Sequence, residues 1–103
     1  MSTCNFNFTS ALTDVKTMAA VARLVENVGV SAYLGATSLV TSPQLLGAAA
    51  SILTIEARHQ SILNVLNRGS SIAAAFDMAL SPSQVLAMAG PFISGCDLGI
   101  PGE

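Results

Sequence analysis

"TSPQ", residues 41–44, decides how this chain is read. It interrupts a stretch, 27–55, in which no charged side chain occurs. An apolar helix of roughly 20 residues spans a bilayer, so an unbroken stretch of this length would count as a membrane candidate. Thr41, Ser42 and Pro43 break it. Ser42 carries the short hydroxyl that accepts from the free N–H groups of a helix start, and Pro43 follows at the first helical position, where its missing N–H costs nothing. The flanks are rich in Gly, Ala, Ser and Thr rather than Leu and Phe, and no Lys/Arg cluster sets an orientation. Two helices joined by a turn are expected here, and membrane insertion is not.

Outward from that turn, the first helix is expected over about residues 10–40, with Ser10 or Thr13 as cap and Asp14 in the favourable first turn. Gly29 and Gly35 each weaken it by roughly 1 kcal/mol relative to Ala, and in exchange let a neighbour come close. The second helix is expected over about 43–67, with Arg68 in its last turn and Gly69 just past its end. A short third helix over 82–89 is signalled by Ser81 as cap, Pro82 at the first position and Gln84 where a capping box wants Glu or Gln. No strand alternation is visible, and the tail reads as extended or loose. The expected fold is one all-α domain, 1–103: a long antiparallel helical hairpin with a short C-terminal helix.

Of the 103 residues, 51% are hydrophobic and only 10% charged, with no Trp and a mean hydropathy of +0.62. A typical soluble domain is about a quarter charged. Such a chain is expected to hide apolar surface, against a partner such as a second copy or against a missing part of the same polypeptide. A formal net charge of −2 offers no basic footprint, so nucleic acid is not an expected partner. "MSTCNFNFTSALTD" (1–14) lacks the basic segment and apolar block of a secretory signal. Cys4 and Cys96 lie near opposite ends, far from any C-x-x-C spacing. They are two unrelated thiols, or a clasp that requires an oxidising compartment. The sequon at Asn7, Phe8 and Thr9 fits the same compartment.

A short turn makes the long helices antiparallel neighbours. Glu26 and Glu56 each lie about fifteen residues from it, so at about 1.5 Å per residue both stand roughly 22 Å away, at one height. His59 is one turn beyond Glu56 on the same side. The row through Glu26 runs Val15, Ala19, Ala22, Glu26, Gly29, Tyr33, and that through Glu56 runs Leu45, Ala49, Ile52, Glu56, His59, Leu63. Both carboxylates thus sit on apolar stripes, where they repel unless a proton or a cation lies between them. A Glu from one helix and Glu-x-x-His from its neighbour are half of the four-carboxylate, two-histidine set that holds two metals in a bundle. Iron, manganese or zinc suits these donors. Tyr33 either hydrogen-bonds a ligand carboxylate or packs its ring. Arg23 and Arg58 pair with nearby acids or extend to water, and Gln60 and Asn64 are expected on the polar exterior. With a single histidine there is no Ser-His-Asp or Cys-His set, and no residue is assigned a catalytic role. Against the metal reading, Glu-x-x-His also arises by chance in ordinary helices.

Three stretches, "VARLVENVGVSAYLGA" (21–36), "LLGAAASILTIEARHQSILN" (45–64) and "FDMALSPSQVLAMAGPFISGC" (76–96), resemble the second half of the ferritin-like fungal stress-response and desiccation-related proteins. The resemblance implies a ferritin-like bundle, with Glu26, Glu56 and His59 at metal-ligating positions, ferroxidase-like iron oxidation if the site is active, and a secreted location. Relatives carry another helix pair before this one and a secretion signal. Three functions are therefore weighed: a metal-binding module completed by homodimerisation or by a separate N-terminal helix pair, a helical interaction or protective protein with a structural or vestigial cluster, and a fragment that does not fold alone.

Overall fold

The computed structural model describes residues 3–98. Helix α1 spans Val15–Ala36, α2 Pro43–Leu66 and α3 Pro82–Ala89. Two-residue strands β1 (Asn5–Phe6) and β2 (Ile93–Ser94) pair antiparallel, Asn5 opposite Ser94 and Phe6 opposite Ile93. The fold is therefore helical, as expected, with α1 and α2 packed against each other and a small ladder that the sequence pattern does not announce.

Cap chemistry sets most boundaries. The Ser42 hydroxyl accepts from the Leu45 N–H at 3.3 Å. At α3, Ser81 Oγ accepts from Gln84 N–H at 3.3 Å while Gln84 Oε1 accepts from Ser81 N–H at 2.9 Å, which closes the expected capping box. The start of α1 differs from expectation. Residues Thr9–Leu12 form a 3-10 turn, and the cap is Asp14 rather than Ser10 or Thr13. Asp14 has extended backbone, and its carboxylate accepts from both the backbone N–H and the hydroxyl of Thr17, each at 2.8 Å. Those bonds hold the Asp14 carboxyl below the usual carboxylate range.

The end of α2 also departs from the reading. Arg68, not Gly69, adopts the left-handed conformation, with φ 63°. Its N–H donates to Val65 O at 2.9 Å and that of Gly69 to Asn64 O at 2.7 Å, the two bonds of a Schellman closure. The Asn67 amide then bridges to α1, donating to Ala19 O at 3.0 Å as well as to Leu63 O at 2.7 Å.

Both helical glycines of α1 sit at close approaches. A Cβ on Gly29 would collide with the Glu56 carboxylate, and one on Gly35 with the backbone carbonyl of Leu80. The Leu80 N–H donates to Ser31 O at 3.1 Å, pinning the segment before α3 onto α1. The segments around Cys4 and Cys96 also meet. Cys4 and Cys96 form a disulfide, Asn7 N–H donates to Phe92 O at 2.9 Å, and the Phe8 and Phe92 rings stack with centroids 5.1 Å apart.

Among the described residues few side chains are buried: Ala11, Val28 and Val30, with Ser31 and Asn64. By contrast Val15, Leu45, Ile62, Leu66, Ile72 and Phe76 are exposed. No helix among the described residues is long and apolar enough to cross a membrane.

Candidate functional site

Glu26 stands near the middle of α1 and Glu56 and His59 near the middle of α2. The antiparallel hairpin brings them together. His59 Nδ1 lies 3.4 Å from Glu26 Oε1, the imidazole half exposed (50%) and the carboxylate less so (27%). Beside them the Glu56 carboxylate tucks against the bare backbone of Gly29, and its Oε2 is buried without a hydrogen-bond partner. Burial, and then the Glu26 carboxylate, push the Glu56 carboxyl above the usual carboxylate range, while His59 pulls it back in part.

The three residues are thus neighbours, but they do not enclose anything. Among the described residues no three His, Cys, Asp or Glu side chains are grouped so that they could hold a metal ion. His59 is also more exposed than a core stripe implies, because among the described residues α1 is the one helix packed closely on α2. Tyr33 is half-buried on α1, and no hydrogen bond from it to either carboxylate occurs among the described residues. Arg23 and Arg58 are exposed.

Two residues read as exterior are not. Asn64 is 5% exposed, and half-buried Gln60 donates to Asn27 Oδ1 at 2.9 Å, linking α2 to α1. The cause is the segment between α2 and α3, which folds back over this side of the hairpin; Ser61 Oγ donates to Ser71 O at 2.7 Å and holds it there. A cleft of about 620 Å³ lies beneath, lined by Arg23, Asn27, Gln60, Asn64 and Asp77 among others. A second cavity, about 330 Å³ and almost wholly apolar, lies between the end of α1 and α3, lined by Ala32, Gly35, Leu39, Val85 and Leu86. The polar residues at 23, 27, 60, 61 and 64, read as exterior or left unread, are the one signal that could have found the first of these.

A mid-height cluster of two carboxylates and an imidazole on an antiparallel pair of long helices defines a class: bundle proteins that place ionisable groups between their helices. A ferritin-like domain model matches residues 1–68, and the chain belongs to the ferritin-like family. No curated protein and no solved structure matches it.

Proposed function

We propose that this chain is a ferritin-like module that contributes half of a di-metal site, with Glu26, Glu56 and His59 as ligands and iron as the metal. Manganese and zinc compete for the same donors. One observation carries the reading: the buried Glu56 Oε2 has no hydrogen-bond donor, on the helix whose His59 meets the Glu26 carboxylate of α1. A buried, partnerless carboxylate oxygen is costly, and a cation offsets that cost. The donor types suit these metals, although the three side chains as placed do not form a group that could hold an ion, so a second half must complete the site. When bound, such an ion supplies Lewis-acid or redox chemistry. The chain's own residues bind and orient: Gly29 makes room for the Glu56 carboxylate, and Glu26 holds the His59 ring until an ion replaces it. A stress- or desiccation-related role and a secreted setting follow from the resemblance of the three sequence stretches; the Cys4–Cys96 disulfide fits an oxidising compartment.

The test is metal content after loading with Fe(II), Mn(II) or Zn(II) and desalting. Wild type is expected to retain about one ion per chain, and Glu56→Ala or His59→Ala at least about tenfold less. A wild type that retains none of the three metals would end this reading.

A second reading has its own support in the Glu26–His59 contact, which already pairs two of the three groups. In it the chain is a helical interaction or protective protein and the cluster is structural. It predicts unchanged folding and mass in chelator, with His59→Ala costing under about 1 kcal/mol of stability.

A further inference from the structure

The cleft beneath the segment between α2 and α3 carries polar groups that neither the fold nor the metal reading uses. It measures about 620 Å³, within the range of small-molecule sites. Asn64 lines it and is only 5% exposed, and its side-chain amide makes no hydrogen bond among the described residues. Neither amide atom is sealed off, however: Glu56 Oε2 is the one side-chain polar atom among the described residues that is both enclosed and without a partner. The access left to the Asn64 amide is therefore the cleft. A buried amide is costly to leave unpaired, and this one offers a donor and an acceptor together. Beside it, Gln60 Nε2 donates to Asn27 Oδ1 at 2.9 Å. That bond uses one half of each amide and leaves Gln60 Oε1 as an acceptor and Asn27 Nδ2 as a donor in the cleft wall.

A peptide group presents one N–H and one C=O, so each of these donor–acceptor sets is its complement. Charge fixes the ends. Arg23 and Asp77 line the same cleft, and neither forms an ion pair among the described residues. Kept apart, they suit a ligand that carries both signs itself. A peptide with free termini does so: its carboxylate takes the planar, two-pronged guanidinium of Arg23, and its ammonium takes the Asp77 carboxylate. Leu24, Ile72 and Met88 supply apolar wall for its side chains. A neutral polyol would satisfy the amides but leave both charges unanswered. We propose that this cleft binds short peptides with free amino and carboxyl ends, about three residues long, so that two successive peptide groups meet the two amide sets. The proposal does not depend on the metal reading.

Isothermal titration calorimetry of the whole chain in chelator tests this, with Ala-Leu-Ala as the probe and its doubly capped form (N-acetyl, C-terminal amide) and maltose beside it. Wild type is expected to bind the free tripeptide saturably, with Kd below about 1 mM, and the capped form at least about tenfold more weakly. Asn64→Leu should weaken the free tripeptide at least about tenfold, because it removes both amide atoms. Arg23 and Asp77 are exposed, so their variants keep the fold. Arg23→Gln should bind Ala-Leu-Ala and its C-terminal amide alike, and Asp77→Asn should bind it and its N-acetyl form alike. A merely structural role would leave both preferences standing. If Asn64→Leu loses its helical circular dichroism, those two variants decide. The absence of saturable binding of Ala-Leu-Ala to wild type overturns the proposal, as does equal binding of free and capped peptide, or maltose bound in preference to both. None of these outcomes bears on metal retention by Glu26, Glu56 and His59, which stands or falls on its own test.

Discussion

Glu56 shows how one missing Cβ governs a charged group. Gly29 leaves room for its carboxylate in the α1–α2 contact, and the carboxyl titrates above its ordinary range because of burial and Glu26. The sign of the linkage follows. A folded value above the unfolded one means that the folded protein holds the proton more tightly, so its stability falls as pH rises from the unfolded value through the folded one. Metal-free protein should therefore lose stability across and just above the ordinary glutamate range. Glu56→Gln should flatten that part of the profile, measured by denaturant unfolding at several pH values in chelator. Asp14 acts oppositely: its lowered value adds stability that is present above the ordinary aspartate range and lost as pH falls. Glu26, Glu56 and His59 were legible as neighbours because helix rise and a short turn fix their heights. The open exposure of His59 was not, since it depends on what packs outside the hairpin.

At the level of elements, two glycines of α1 separate two kinds of close contact. Gly29→Ala meets the end of a flexible side chain, which can swing away, and it adds helix propensity worth about 1 kcal/mol. It should leave stability within about 1 kcal/mol of wild type while displacing Glu56, seen as weaker metal retention. Gly35→Ala meets the Leu80 backbone, which is hydrogen-bonded to Ser31 and cannot step aside cheaply. We expect it to cost about 1–3 kcal/mol in thermal or denaturant unfolding, as overpacking does. The starts of α2 and α3 could be read from Ser42–Pro43 and Ser81–Pro82 because capping is a local transaction between residues three apart. The start of α1 could not, since Ser10, Thr13 and Asp14 are all competent caps and the 3-10 turn at Thr9–Leu12 decides among them. β1 and β2 escaped for a different reason: two residues are too few to show alternation, and their partners lie at the far end of the chain.

On the scale of the whole molecule, a thin core is compensated by a covalent closure. Among the described residues only a handful of side chains are buried, and the Cys4–Cys96 disulfide spans 92 residues. In the chain-entropy account a loop of that size contributes about 4–5 kcal/mol. Reduction, or Cys4→Ala, should therefore lower unfolding free energy by about 2–5 kcal/mol, a large share of what a domain of this size usually has. The composition foretold the exposed apolar side chains, since a chain so rich in apolar residues and so poor in charge has little polar material for its outside. It did not foretell which side the chain covers with its own segment between α2 and α3.

That closure has a consequence for damage. Residues 70–79 are exposed throughout, and Phe76 is 91% exposed, so a protease reaches this segment first. A single cut there opens the backbone but releases nothing, because β1, α1 and α2 stay tethered to α3 and β2 through the sulfurs. The nicked protein should run as one species on a non-reducing gel and as two fragments once thiol is added. In an oxidising environment, then, the molecule can be broken without being lost.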